Sequence, residues 1–358
     1  MKITKIELIP IELELKEPYT IAYETISKAP NVFCKIFTDE NIIGIGVAAP
    51  DLEVTGESIS SVIKVVADFM EPAILGQDPL RHIKILSELK AHLKLNPSAI
   101  AMLDMALFDI LGKKANLPLY KILGGYREKI ITSITIGILP ISETLKRANE
   151  YVKSGFKAIK LKGGINVEED VEKLRKIREK IGEEIFLRFD ANQGYTVEQS
   201  LYLVEKTKSV KLELFEQPTP RKELQLLGQV TSSVHVPVMA DESIMSIKDV
   251  FKLAKNDLVD TVNIKLMKVG GIAEALHINS VAKAANLEVM VGCMDEAELG
   301  IAAGLHFALA RPNVDYADLD GHFDLLNDPS KGTIILEDGF LIPSGKPGLG
   351  LDASDLNL

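Results

Sequence analysis

Three carboxylates, Asp190, Glu216 and Asp241, constrain this chain more than any other feature. Each closes a short apolar run: Ile185-Phe186-Leu187 leads to Asp190, Leu212 to Phe215 leads to Glu216, and Pro237-Val238-Met239-Ala240 leads to Asp241. They stand 26 and 25 residues apart, about the length of a strand, a helix and two loops. A carboxylate at the end of successive β/α units places the acids on one rim of a parallel barrel, the rim where such barrels build active sites. Three neighbouring acids repel one another unless a cation lies between them. Oxygen-only ligands suit a hard ion, so the expected cofactor is one Mg²⁺ per subunit on Asp190, Glu216 and Asp241.

The pattern extends on both sides of this triad. Strands are expected at 131–137, 158–162, 185–190, 212–216, 236–240, 261–266, 287–292 and 314–318, with helices between them, such as Val167 to Ile181. Eight strands with seven intervening helices predict an α/β fold, a (β/α)₇β TIM-like barrel. Before it, residues 3–15 alternate as a strand, and Val32–Phe37 and Ile42–Val47 read as a hairpin. Helices at 57–75, 80–93 and 97–114 complete an N-terminal α+β capping domain. The predicted organisation is a capping domain at 1–125, a barrel at 126–325 and a C-terminal segment at 326–358 that packs back on the cap. Pro18 and Pro30 punctuate Lys16–Pro30, which reads as a turn-rich lid carrying Tyr19 and Tyr23. Pro10 suggests an edge strand, and Gly44 and Gly46 a closely approached one.

Lysines join the acids at the rim. Lys160 and Lys162 end the second strand; residues i and i+2 of a strand share a face, so both ammonium groups face the mouth if either does. Lys265 ends the sixth strand, across the mouth from the second. A single lysine at a strand end is more often part of a rim salt bridge. Three lysines beside three acids favour chemistry, because a substrate held on the metal would have a lysine on each face. Burial and neighbouring cations are expected to lower the lysine pKa values toward neutrality. Asp318 and Asp320 end the eighth strand and share a face, a second acidic patch able to bind an ammonium group; helix or loop capping is the plainer role for either alone. The histidines, among them His277 and His306, read as structural.

Composition narrows the class. The net charge of −10 argues against a nucleic-acid partner. No apolar run is long enough for a bilayer, and the N-terminus lacks a signal-peptide core. Two cysteines, Cys34 and Cys293, are too few for a disulfide framework, so a reducing cytoplasm is expected. Further copies of the chain in a homo-oligomer are expected partners; nucleic acid and membrane are not.

Across nearly its whole length the chain resembles the enolase superfamily, in its muconate-lactonizing-enzyme subgroup. The resemblance rests on Lys160-Leu161-Lys162, on the triad in the contexts FDANQG, FEQP and ADES, on Lys265 in NIKLMKVGG, and on LPLYKILGG before Gly125. Asp318-Leu319-Asp320 is similar to the mark of the dipeptide epimerases. The resemblance implies a dipeptide epimerase: a magnesium-assisted 1,1-proton transfer at the α-carbon of a dipeptide's C-terminal residue, with L-Ala-D/L-Glu from murein peptides or a related dipeptide as substrate. It implies that Lys162 and Lys265 exchange the proton, and that Lys160 lowers the pKa of Lys162 and helps hold the carboxylate. Asp318 and Asp320 would bind the ammonium group. Glu296, Thr135, Tyr19 and Glu24 would line the substrate, and Asn192 and Glu242 would orient ligands or Lys265. Some Ala-Glu members carry an arginine in the first-domain loop; Lys16–Pro30 has none, and Glu24 stands near that place. Three alternatives stay open: N-acylamino-acid racemisation, o-succinylbenzoate synthesis or cycloisomerisation in the same subgroup; a Schiff-base aldolase on Lys265; and a barrel that only binds.

Overall fold

The computed structural model describes residues 1–20, 25–93 and 95–356. The chain opens with an antiparallel sheet, β1 (Ile3–Thr20), β2 (Thr25–Thr38) and β3 (Ile43–Ala48), in that order. Pro10 lies on β1, an edge strand. Gly44 and Gly46 lie directly under the helix Pro97–Ala115: a Cβ at Gly46 would stand 2.0 Å from the Met102 carbonyl oxygen. That helix starts with proline in its first turn and ends at Asn116 in the left-handed conformation, and most of its residues are buried.

Two expectations about the cap change. Of the segment 16–30, read as a turn-rich lid, residues 16–20 and 25–30 belong to β1 and β2: Glu14 faces Lys28 and Tyr19 faces Ile26, with a register shift between these pairs. That irregularity accommodates Pro18, which cannot donate to a ladder. The helix expected at 57–75 is divided into Ile59–Val65, a π-helical turn at Val66–Met70 and Glu71–Ile74. The side chain of Tyr19, and all of Tyr23 and Glu24, fall outside the described residues.

A short strand, β4 (Ile130–Ile131), precedes the barrel. The barrel strands are β5 (Ser133–Ile136), β6 (Ala158–Lys162), β7 (Phe186–Asp190), β8 (Leu214–Glu216), β9 (Val238–Ala240), β10 (Thr261–Lys265), β11 (Glu288–Gly292) and β12 (Val314–Asp318). They form one sheet of eight strands in chain order, paired in parallel. A bridge from Thr132 to Ala317 links its two ends. The fold is the expected (β/α)₇β barrel with an antiparallel cap. Leu214, Met239 and Met290, packed with Tyr316, fill the interior below the rim, so the site has an apolar floor. The C-terminal hairpin β13 (Ile334–Glu337) and β14 (Phe340–Pro343) pairs with β4. Beyond it, Leu349 donates its N–H to Asp109 on the long cap helix, 2.8 Å.

The cap is fixed over the mouth by backbone pairing and by two buried side chains, Asn31 and Asp104. Leu15 bridges to Leu325, and the N–H of Lys16 donates to the Asp324 carbonyl, 2.8 Å. Asn31 accepts the N–H of Ala297 and donates to the Asp295 carbonyl. Asp104, in the cap helix, accepts the N–H groups of Ile272 and Ala273, 2.5 and 3.1 Å, at the start of the barrel helix Ile272–Ala284. No helix among the described residues is long and apolar enough to cross a membrane.

Candidate active site

The parallel register sets the site. Lys162 of β6 stands beside Asp190 of β7, and Asp190 beside Glu216 of β8. On the other side of the mouth Lys265 of β10 stands beside Gly292, and Gly292 beside Asp318 of β12. Strand ends in one register deliver their side chains to one level, and there ammonium and carboxylate groups interleave. The Nζ of Lys160 lies 2.7 Å from Glu216, 2.8 Å from Asp318 and 3.1 Å from Asp190. Lys162 reaches Asp190 at 2.8 Å, and Lys265 reaches Asp241 at 2.9 Å. Asn263 donates to Glu216 Oε1, 2.8 Å. Gln217 accepts the N–H of Asp241, 2.9 Å, which sets the backbone that carries this carboxylate. Asn192 donates its N–H to Asp190 and its side-chain amide to Glu242, so the two expected orienting residues are joined.

The electrostatics depart from expectation in one respect. Lysine pKa values lowered toward neutrality were expected. Burial does press on Lys160 and Lys265, but the carboxylates outweigh it. Asp318, Glu216 and Asp190 hold Lys160 well above its ordinary value, and Asp241 raises Lys265. The carboxylates divide as well. Burial disfavours every charge here, yet the lysines hold Asp190 and Asp241 low. Glu216 is pushed up to about 8 by burial and by Asp190. Burial thus leaves the charged form of Glu216 disfavoured even with Lys160 beside it. A divalent cation on Asp190, Glu216 and Asp241 would suit this all-oxygen donor set and favour the charged form of Glu216.

Asp318 and Asp320 play unlike parts. The expected ammonium-binding pair meets different partners, and Asp318 meets protein donors. Its two oxygens are engaged, one by Lys160 and the other by the Ser133 hydroxyl at 2.6 Å, and Lys160 holds it well below the ordinary range against burial. Asp320 lies on the cavity wall with one oxygen accepting the Thr135 N–H at 2.6 Å. Burial and the charge of Asp318 push it up to about 7. Thr135 also lines the cavity and contributes through its backbone. Glu296, expected on the pocket wall, sits behind it: it is 2% exposed, accepts the Met294 N–H, and is pushed up to about 8 by burial.

Sequence reading missed three contributors. Lys268, in the turn after β10, donates to the Asp241 carbonyl at 2.5 Å and to its carboxylate. It follows Lys265 by three residues, one helical turn, which was the available signal. Asn263 precedes Lys265 by two and so shares its face. Arg188 precedes Asp190 by two; it donates to Ser133 and to the Ala317 carbonyl, tying β7 to the barrel's closure.

Comparison with known proteins places this geometry. Residues 4–124 match the family described as mandelate racemase / muconate lactonizing enzyme, N-terminal domain, and residues 143–356 match the enolase C-terminal domain-like family. An L-Lys-D/L-Arg epimerase of Desulforapulum autotrophicum is 40% identical, over 98% of this chain and 99% of that one. Among solved structures, the Enterococcus faecalis dipeptide epimerase complexed with Mg and L-Leu-L-Tyr superposes with a TM-score of 0.95 at 39% identity, covering 98% and 99% of the two chains. A substrate-liganded L-Ala-D/L-Glu epimerase of Bacillus subtilis gives 0.95 at 36%, covering 98% of each.

Proposed function

Because this chain belongs to the mandelate racemase/muconate lactonizing enzyme family, we propose that it is a magnesium-dependent dipeptide epimerase, an isomerase that inverts the α-carbon of a dipeptide's C-terminal residue. One observation carries the reading: Lys162 and Lys265 stand across the mouth from each other, with the carboxylate cluster on one side of the line between them and Asp320 on the other. Asp190, Glu216 and Asp241 would hold the magnesium ion, which would supply Lewis-acid charge to the substrate carboxylate and so acidify the α-proton. Lys162 and Lys265 remove and return that proton on opposite faces. Lys160, held by three carboxylates, is a fixed positive charge beside the substrate carboxylate. Lys268, Asn263 and Gln217 fix Asp241 and Glu216; Asn192 and Glu242 fix Asp190. Asp320 takes the dipeptide's ammonium group and is positioned by the Thr135 N–H.

In this reading residues 126–325 carry the chemistry, 1–125 cover it and set side-chain preference, and 326–358 brace the cap. The unpaired Cys34 and Cys293 fit a reducing compartment. The related racemases and cycloisomerases have no use for a carboxylate that takes an ammonium group, so Asp320 favours free dipeptides over them. The test is a set of L,L-dipeptides and their N-acetyl forms incubated with enzyme and magnesium in D₂O, read by mass spectrometry and chiral analysis. Deuterium at one α-carbon with inversion is expected for free dipeptides. Preference for the N-acetyl forms would instead support N-acylamino-acid racemisation.

A further inference from the structure

The turn that follows Lys162 is held from behind by two buried groups that proton transfer does not use. Gly163 donates its N–H to the Asp190 carbonyl, 2.9 Å, which carries the β6–β7 ladder one residue past the lysine. Gly164 then turns with φ +99°, a conformation that favours glycine, and a Cβ there would stand 2.0 Å from the Ala191 carbonyl oxygen. This close approach brings the loop after β6 directly against the loop after β7. One carboxylate oxygen joins the two loops. Asp170 Oδ2 accepts the Gly164 N–H at 3.0 Å and the Tyr195 hydroxyl at 2.6 Å.

Both side chains are themselves fixed. Asp170 lies in the first turn of the helix Val167–Ile181, where the helix dipole favours a carboxylate. Its other oxygen faces the buried ammonium group of Lys173 at 4.0 Å. Tyr195 stacks its ring on Phe189, 6.3 Å between centroids, and donates its N–H to the Pro218 carbonyl after β8, 2.9 Å. Asp170 is 2% and Tyr195 3% exposed, and neither lines the cavity. The brace therefore spans the loops after β6, β7 and β8. None of these groups comes from β10, the strand of Lys265.

We propose that Asp170 and Tyr195 are positioning residues that serve Lys162 and not Lys265. The brace sets the backbone two residues past Lys162 from the side away from the substrate, while Asp190 holds the ammonium end at 2.8 Å. A buried N–H stripped of its acceptor is costly, so the turn rearranges when the carboxylate or its hydroxyl partner is lost. A base must then meet the α-carbon from a shifted position, and a displacement of about 1 Å costs about 100-fold in rate. The inference rests on the epimerase reading, since that reading gives the two lysines opposite faces of one α-carbon. A group that serves the whole fold affects both faces alike. A group that serves Lys162 affects one.

The experiment measures the initial rate of α-proton loss into D₂O, at saturating magnesium, from the L,L and L,D forms of Ala-Glu, Ala-Lys and Ala-Leu. It is run on wild type, Lys162→Ala, Tyr195→Phe and Asp170→Ala. The Lys162→Ala variant identifies the epimer that depends on this lysine. Tyr195→Phe removes one oxygen atom and keeps the stacked ring, so it reads the brace in a folded protein. Tyr195→Phe and Asp170→Ala are each expected to lower exchange of the Lys162-dependent epimer by about 10- to 100-fold, with the other epimer within about threefold of wild type. Equal loss for both epimers, or no loss for either, in Tyr195→Phe would overturn the inference and leave the epimerase reading standing. No exchange of any of these dipeptides by wild type would overturn both.

Discussion

Asp320 is the residue at which charge and function meet most plainly. Its carboxylate accepts the Thr135 N–H on one oxygen and the Cys293 thiol on the other, and burial with Asp318 pushes it up to about 7. Its charged form, the one that pairs with an ammonium group, therefore fades as pH falls through about 7. The kcat/KM of free dipeptides is expected to decline over that range, with Asp320→Asn lacking this limb. A charged hydrogen bond of this kind is worth roughly 1.5–3 kcal/mol, so Asp320→Asn should lower kcat/KM by about one to two decades. A variant with wild-type kcat/KM and pH profile would remove Asp320 from the site. Residue identity made Asp320 visible in the sequence, but the division of labour with Asp318 was not legible. That depends on Lys160, which meets Asp318 only when the barrel closes and brings residues 158 positions apart to 2.8 Å.

At the scale of elements, strands ending in carboxylates were legible because each carries its signal in a few adjacent residues. The β1–β2 pairing at 16–20 and 25–30 was not: it depends on partners across the hairpin, and Pro18 argued locally for a break while a register shift absorbed it. The contact between cap helix and barrel helix is likewise non-local. Asp104 closes the buried N-terminus of Ile272–Ala284 with two hydrogen bonds, in place of a local capping side chain. Removing such a cap costs about 1–2 kcal/mol, so Asp104→Ala is expected to lower the thermal midpoint. Because that helix follows Lys265 and Lys268 in the chain, the variant should also lose kcat. An unchanged midpoint would show that the cap-to-barrel contact adds nothing to stability.

For the whole molecule, the barrel presents two lysines, a carboxylate cluster and the Asp320 carboxylate on one rim, and the cap closes the fourth side. Three carboxylates on neighbouring strand ends offer a divalent ion an all-oxygen donor set, so dialysis against EDTA should abolish turnover and added magnesium restore it. Glu216→Gln should demand more magnesium for half-maximal rate; full turnover in excess EDTA would refute the metal assignment. The central claim is that two lysines act on opposite faces of one α-carbon. It is tested most directly by α-proton exchange in D₂O, with each epimer of one dipeptide given separately to wild type, Lys162→Ala and Lys265→Ala. Wild type should exchange and invert both epimers, and each variant should lose inversion entirely while retaining at most the exchange of one epimer, a different one in each. Wild-type exchange of both epimers by either variant alone would contradict the account.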